Sequence, residues 1–311
     1  MNWIKFGLVV SMLVAGAALA TRGTPDPQVS LTSVVELWSD TLRDTDQIGM
    51  KLTRVSDAEE MRIGADLARG VADLGSDDPA AARYLAGVAQ PLLPHLRRQG
   101  IHYQFHVLDS PQINAFALPG GQIFVMRGLL DFVESEAELA GVLGHEMSHV
   151  DLRHCIEHYQ YEARLKKAGS RELGWLVEIA HRLVTQGFSE QQELEADAQG
   201  ERLTVESGYD PDAEATLFTR MQARLHEPSR VQATTPAGEV AEATGEAFGA
   251  YFHTHPPSEE RVRRLNDMVA RHTEEWAGRH YYVGKENLRE RLPRSSHEYV
   301  SEFREISPHA R

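Results

Sequence analysis

The chain has 311 residues, 41% of them hydrophobic and 25% charged, the profile of a globular protein and not of a disordered or membrane-embedded one. That length suffices for one large core or two modest ones. A formal net charge of −14 argues against nucleic acid and anionic membrane surfaces as partners.

Residues 1–20 stand apart from the rest. Lys5 gives a positive start, Leu8 to Leu19 is an apolar run, and Ala18-Leu19-Ala20 supplies a small-x-small cleavage site. The pattern is that of a secretory signal peptide cut after Ala20, the run being short for a spanning helix. Removing Lys5 brings the net charge to −15. The expected mature chain is periplasmic or otherwise exported, with no stable membrane insertion. Cys155 is the only cysteine. An exported chain with one thiol has no internal disulfide, and Cys155 is expected as a small buried filler.

Residues 21–30, with Gly23, Pro25 and Pro27, read as a leader. From Leu31 to about Leu74, Val34, Val35, Trp38 and Leu42 recur at helical steps, giving an N-terminal helical segment over 21–78. Gly75-Ser76-Asp77-Asp78-Pro79 breaks the chain and starts a second helix, Pro79 fitting the first helical position. That helix runs to about Arg98, with Pro91 and Pro94 bending its end. The period then changes to two. Ile101, Tyr103, Phe105 and Val107 alternate with His102, Gln104 and His106, a half-buried strand with its histidines on the solvated face. Ile113 to Leu118 and Gln122 to Met126 are two further strands, joined at the hairpin signal Pro119-Gly120-Gly121.

Ser135-Glu136-Ala137-Glu138 is a capping box. It opens the helix that carries Gly144-His145-Glu146-Met147-Ser148-His149. Apolar residues on both sides mark this as a buried central helix, and Gly141, Gly144 and Ser148 form a strip that another element can approach closely. Two histidines four residues apart project from the same side about one turn apart, the spacing at which two imidazoles grip one Zn²⁺. Glu146 can then reach an attacking water without being a ligand, the His-Glu-x-x-His arrangement of a zinc hydrolase.

A catalytic zinc needs a third protein ligand. The best candidate is Glu193, in Glu193-Leu194-Glu195-Ala196-Asp197. Asp197 shares its face and can fix the tautomer of a ligand histidine, whereas Glu195 points toward solvent. A competing pattern lies nearby: His154-Cys155-Ile156-Glu157-His158 matches the inverted His-x-x-Glu-His. On one continuous helix it sits about 180° from the first pair, so both pairs cannot serve one ion, and His154 and His158 are expected as packing residues or as supports behind the ligands.

Residues 159–190 continue as helix, with a break at Gly169-Ser170 and a further helix from Arg171 to about Gln186. Ser189 and Gln192 cap the helix carrying Glu193, which ends at Gly208-Tyr209-Asp210-Pro211. A helix covers 212–226, and 227–250 reads as a loop. His253-Thr254-His255-Pro256-Pro257 leads into a charged helix at about 258–271. The C-terminal tail, 276–311, shows no readable motif.

Three of these segments, in order, resemble the M48 family of zinc metalloproteases. They are Asn114-Ala115-Phe116-Ala117-Leu118-Pro119-Gly120-Gly121 with the strand after it, then Gly144 to Val150, then Glu193 to Asp197. His255-Pro256 followed by Arg261 resembles the family's late His-Pro element. The resemblance covers roughly residues 80–270 and suggests a peptidase domain over 79–275. It implies an α+β, zincin-like fold, mostly helical, with a small antiparallel sheet beside the buried metal-binding helix. It implies one Zn²⁺ per chain on His145, His149 and Glu193, with Glu146 as base and Asp197 supporting a ligand histidine, leaving His154 and His158 off the metal.

In the resembled fold the segment Asn114, Ala115, Phe116, Ala117, Leu118, Pro119, Gly120, Gly121 provides an edge strand with which an extended polypeptide substrate pairs. His255 either stabilises the oxyanion or, as in some exported relatives, occupies the zinc site and holds the enzyme inactive; His253 is close enough to compete for that assignment. The expected activity is endopeptidase cleavage of misfolded or unassembled envelope proteins, through a metal-activated water and Glu146. The alternative is a chaperone-like protein that binds unfolded envelope proteins at the edge strand with little or no turnover.

Overall fold

The computed structural model describes residues 55–72, 78–166, 183, 187–226, 255, 259–276 and 278–306. The expected signal peptide, the helical pattern over 31–54 and the loop at 227–250 lie outside the described residues, as does the helix from Arg171 except for Leu183.

Helix α1 (Asp57–Ala72) is followed by α2 (Pro79–Ala89). Pro79 takes the first position of α2, and the Asp78 carboxylate accepts from the amides of Ala80 and Ala81, so the cap is satisfied from within the predicted break. Three strands come next: β1 (Gln104–Leu108), β2 (Ala115–Leu118) and β3 (Gln122–Met126), in the order β1-β3-β2. The expected α+β architecture is present, and its main sheet is mixed. β2 and β3 form the antiparallel hairpin, but β1 runs parallel to β3. The connection after β1 carries the chain across the sheet, so β2 lands on the far side of β3 and the returning strand is aligned with β1.

β3 is buried along its length because it is central and covered on both faces. Ile123 and Val125 join a core with Leu85 and Val88 of α2, while Phe124 and Met126 pack with Leu67 and Val71 of α1. His106 is drawn into this packing. Its ring stacks on Phe124 with centroids 4.5 Å apart, and its Nε2 lies 2.9 Å from Gln122 Oε1, so it is half-buried and not simply solvated.

The hairpin tip tucks under α1. Gly120 has φ +73°, and its amide donates to the buried Glu60 carboxylate at 3.2 Å. A Cβ there would meet Glu60 O and Met61 Cα at 2.5 Å, so the tip needs glycine for conformation and for space.

After α3 (Arg127–Phe132) comes α4 (Glu136–Asp151), every residue of which is buried. Ser135 Oγ accepts from the Glu138 amide at 3.2 Å, as the capping box requires. The reciprocal half differs: the Glu138 carboxylate accepts from the Glu134 amide and from Arg220. The helix expected to continue past Asp151 stops there. Leu152 closes the last turn, Arg153 adopts φ +72°, and α5 (His154–Lys166) starts in a new direction.

Helix α6 (Glu190–Glu206) opens on the expected capping box, with Ser189 and Gln192 satisfying each other's amides. It fills the small-residue strip of α4. A Cβ on Gly144 would meet Gly200 O at 3.1 Å, and one on Gly200 would meet His145 N at 2.9 Å. Gly141 faces Glu214 of α7 (Ala213–His226) in the same way. α8 (Glu259–Glu275) follows, then β4 (His280–Tyr282), α9 (Lys285–Glu290) and β5 (Phe303–Glu305), with β4 and β5 antiparallel.

This last segment, without a readable motif in sequence, is tied to the start of α4. The buried Glu136 carboxylate accepts from Tyr84 Oη at 3.1 Å, Tyr209 Oη at 2.8 Å and the Arg294 amide at 2.8 Å.

Gly120→Ala should lower unfolding stability by roughly 2 kcal/mol or more, combining a left-handed backbone with backbone overlap. Urea unfolding reads this directly; an unchanged midpoint and slope would contradict the described hairpin tip.

Candidate metal centre

The one-turn offset of His145 and His149 on α4 brings their Nε2 atoms to 3.1 Å from each other. Because α6 lies against α4 at Gly144 and Gly200, it carries Glu193 to the same point. Glu193 Oε2 is 3.5 Å from His145 Nε2, and Oε1 is 3.6 Å from His149 Nε2. His255 enters from the other side, its Nδ1 3.2 Å from His145 Nε2 and 3.1 Å from Glu193 Oε1. One donor atom from each of these four side chains lies within 4.8 Å of the others, and all four residues are buried. Glu146 adjoins them, with Oε1 3.2 Å from His255 Nε2. His253 lies outside the described residues.

Asp197, one turn beyond Glu193, places Oδ1 3.0 Å from His145 Nδ1. Arg261 of α8 grips Asp197 through Nε and Nη2 at 2.8 and 2.7 Å and reaches Glu193 Oε2 through Nη1 at 2.8 Å. It is fully buried, with its guanidinium 5.3 Å from the Phe218 ring centroid. One arginine therefore fixes two carboxylates at once, which its fork of donors allows and a lysine would not. Nothing in the charged pattern of α8 distinguishes Arg261 from its neighbours Arg263 and Arg264, which are exposed.

The inverted motif is placed differently from the first pair. Among the described residues neither His154 nor His158 belongs to a group of donors able to hold an ion. His154 instead faces the back of His149, and Phe188 stacks on the His149 ring with centroids 3.8 Å apart and 15° between planes. Neither contact follows from the helical wheel, since both depend on chain breaks.

The pocket's charges are coupled. Burial opposes ionisation of Glu193, yet His255, His145 and Arg261 hold its carboxyl well below the usual range. Burial likewise opposes Asp197, and Arg261 and His145 outweigh it. Burial pulls His145 down, but Asp197 and Glu193 raise it well above its ordinary value. His255 is raised to about 9, burial being overcome by the charges of Glu193 and Glu146. For His149 burial wins and the ring is held neutral, well below its ordinary value. Glu214 behind Asp197 is pushed up to about 8, by burial first and the Asp197 charge second, so it adds no full charge near pH 7.

Glu193 and Asp197 are thus buried against one guanidinium, and His145 and His255 beside them are both shifted toward the charged form. A divalent cation would supply positive charge at the same point. Two imidazoles and a carboxylate suit Zn²⁺ or a neighbouring first-row ion. Both Glu146 oxygens are buried without an aligned hydrogen-bond donor, so a polar group is left beside the donor cluster for further chemistry.

β2 is an edge of its sheet, and residues 114–121 are all buried. Its register with β3, anchored by the Met126 amide donating to Asn114 O at 2.9 Å, turns the backbone groups of Ala115 and Ala117 away from β3. On that free side the buried Cys155 thiol lies 3.6 Å from Ala117 O.

The sequence model of a family described as Peptidase family M48 matches residues 79–269. The chain is 30% identical over 195 residues to the mitochondrial metalloendopeptidase OMA1 of Schizosaccharomyces pombe, covering 60% of this chain and 52% of that protein. It is 30% identical over 210 residues to the beta-barrel assembly-enhancing protease of Escherichia coli strain K12, covering 60% and 42%. It is 27% identical over 230 residues to the metalloprotease LoiP of the same strain, covering 70% and 82%. The chain thus spans about half the length of the first of these relatives and less than half of the second.

Gly200→Ala should push α6 off His145. Stability should fall by about 1–3 kcal/mol, and zinc affinity, read by chelator competition, should fall with it. Unchanged affinity in a folded variant would show that this contact does not set the donor geometry.

Proposed function

Because the chain belongs to peptidase family M48, we propose that it is an exported zinc endopeptidase acting on unfolded or unassembled envelope polypeptides. The observation that carries this reading is the convergence of His145, His149 and Glu193 on one buried point with the Glu146 carboxylate beside it. The three would hold the ion. When bound it supplies Lewis acidity, which acidifies water and polarises the scissile carbonyl.

The chain's own residues do the rest. Glu146 takes a proton from the attacking water and passes it to the departing amine. Asp197 keeps the proton of His145 on Nδ1, leaving Nε2 to donate its lone pair. Arg261 locks Glu193 and Asp197 in register. The substrate adds as a strand along Ala115–Leu118, flanked by Asn114 and by Pro119, Gly120 and Gly121. Backbone pairing there places few demands on side chains, which suits unfolded polypeptides.

Export is supported by the signal-like pattern in residues 1–20. Among the described residues no helix is long and apolar enough to cross a membrane. An envelope substrate is supported by likeness to a protease named for beta-barrel assembly.

His255 spans the space between the donor cluster and Glu146, and the free side of β2 is covered at Ala117. This favours His255 as the residue that holds the site shut over a role as oxyanion donor.

Glu146→Gln should retain zinc and fold but lower casein cleavage by about 100-fold or more. Equal cleavage by wild type and variant would eliminate the mechanism; holding of unfolded protein by both, with no cleavage, would favour the binding-only alternative. His255→Ala should raise cleavage or self-cleavage by about tenfold if the closed form predominates to that extent. An unchanged or lower rate would count against gating.

A further inference from the structure

The two ligand-bearing histidines of α4 are supported from behind by different chemistry. His145 Nδ1 faces the Asp197 carboxylate at 3.0 Å, an ordinary partner for such a ring. His149 Nδ1 faces a second imidazole, with His154 Nδ1 at 3.1 Å. The other nitrogen of His154, Nε2, lies 3.4 Å from Glu195 Oε2 on α6.

One proton lies between two ring nitrogens in hydrogen-bond contact, so one donates and the other accepts. If His149 is to offer the lone pair of Nε2 toward Glu193 and His145, its proton must sit on Nδ1. His154 must then accept at Nδ1 and carry its own proton on Nε2, where it donates to the Glu195 carboxylate. This assignment satisfies both contacts of His154. The reverse one turns a protonated Nε2 of His149 into the donor cluster and sets the lone pair of His154 Nε2 against a carboxylate.

The backbone is bent to make the contact. On a continuous helix His149 and His154 would project about 140° apart. The break after α4 removes that separation and brings their ring centroids to 5.2 Å. Arg153 takes φ +72° at the break, a left-handed conformation that a non-glycine residue rarely adopts. Arg153 Nη2 donates to Val55 O at 2.7 Å, and Nη1 lies 3.7 Å from Asp57, contacts that hold the turn. Phe188, stacked on His149, fixes the plane of the ring in which the proton assignment operates.

We propose that His154, backed by Glu195, is a positioning residue that sets the tautomer and orientation of His149 for metal binding. The inference deepens the zinc-peptidase reading and rests on it for the identity of the ion.

Two measurements on the full chain test it. In long-range proton–nitrogen spectra of histidine-labelled, metal-free protein near pH 8, wild-type His149 should be the Nδ1–H tautomer and should lose that preference in His154→Ala. Zinc affinity, by chelator competition, should weaken about 10–100-fold in His154→Ala and recover in large part in His154→Asn, whose Oδ1 can accept near the lost Nδ1. A wild-type His149 protonated on Nε2 would overturn the proposal, a readout that stands even if His154→Ala fails to fold. Equal zinc affinity of wild type and folded His154→Ala, or Asn no better than Ala, would also overturn it. Wild type that takes up no zinc would sink the peptidase reading, while the tautomer measurement would still judge the role of His154.

Discussion

The constraint on which this structure depends is charge burial. Glu146, Glu193 and Asp197 lie together out of water, and Arg261 is the permanent cation among the described residues that touches any of them. Leaving a buried carboxylate unmatched costs several kcal/mol after relaxation, more than an exposed ion pair returns. Arg261, with His145 and His255 both shifted toward the charged form, offsets the buried carboxylates, and a divalent ion at the donor cluster would supply the same positive charge. Neutral His149, held so by burial, is already in the form a metal requires. The electrostatics that make the pocket costly as plain structure are those that suit it to an ion.

The fold holds the donors of that pocket in alignment. Close contact of Gly144 with Gly200 lets α6 approach α4 at backbone distance, and this sets the reach from Glu193 to both histidines. Glu60, itself buried, holds the hairpin tip through the Gly120 amide and pairs with Arg98. Glu136 gathers two tyrosines and the Arg294 amide at the opposite end of α4. The buried carboxylates at 60 and 136 are thus structural anchors, whereas those at 146 and 193 face the donor cluster. The distinction lies in their partners, since all four are equally hidden from solvent.

Much of this was legible in the residues alone. The strand over Gln122–Met126, the helix start at Pro79, the cap at Ser189, the buried helix around His145 and its small-residue strip all follow from periodicity and capping chemistry. Four-residue spacing likewise predicted that His145 and His149, and Glu193 and Asp197, would share faces. What was not legible depends on non-local geometry. An arginine at positive φ carries no glycine-like signal, so the break at Arg153 and the new heading of His154 were hidden. The helical wheel therefore placed His154 on the far side from the first pair, whereas Glu195 is exposed as its face predicts and still lies 3.4 Å from His154 Nε2. The resemblance picked out Arg261 without giving it a role, and the charged pattern alone matched that of its exposed neighbours, because burial of one arginine in a charged helix is decided by what packs against it. The parallel pairing of β1 was also hidden, since period-two patterning reports burial and not direction.

The most direct measurement is anomalous diffraction at the zinc edge from crystals of the purified full chain. The account predicts one peak per chain, bonded at about 2.0–2.2 Å to His145 Nε2, His149 Nε2 and a Glu193 oxygen. A peak at His154 and His158, or no peak in protein grown with excess zinc, would contradict it.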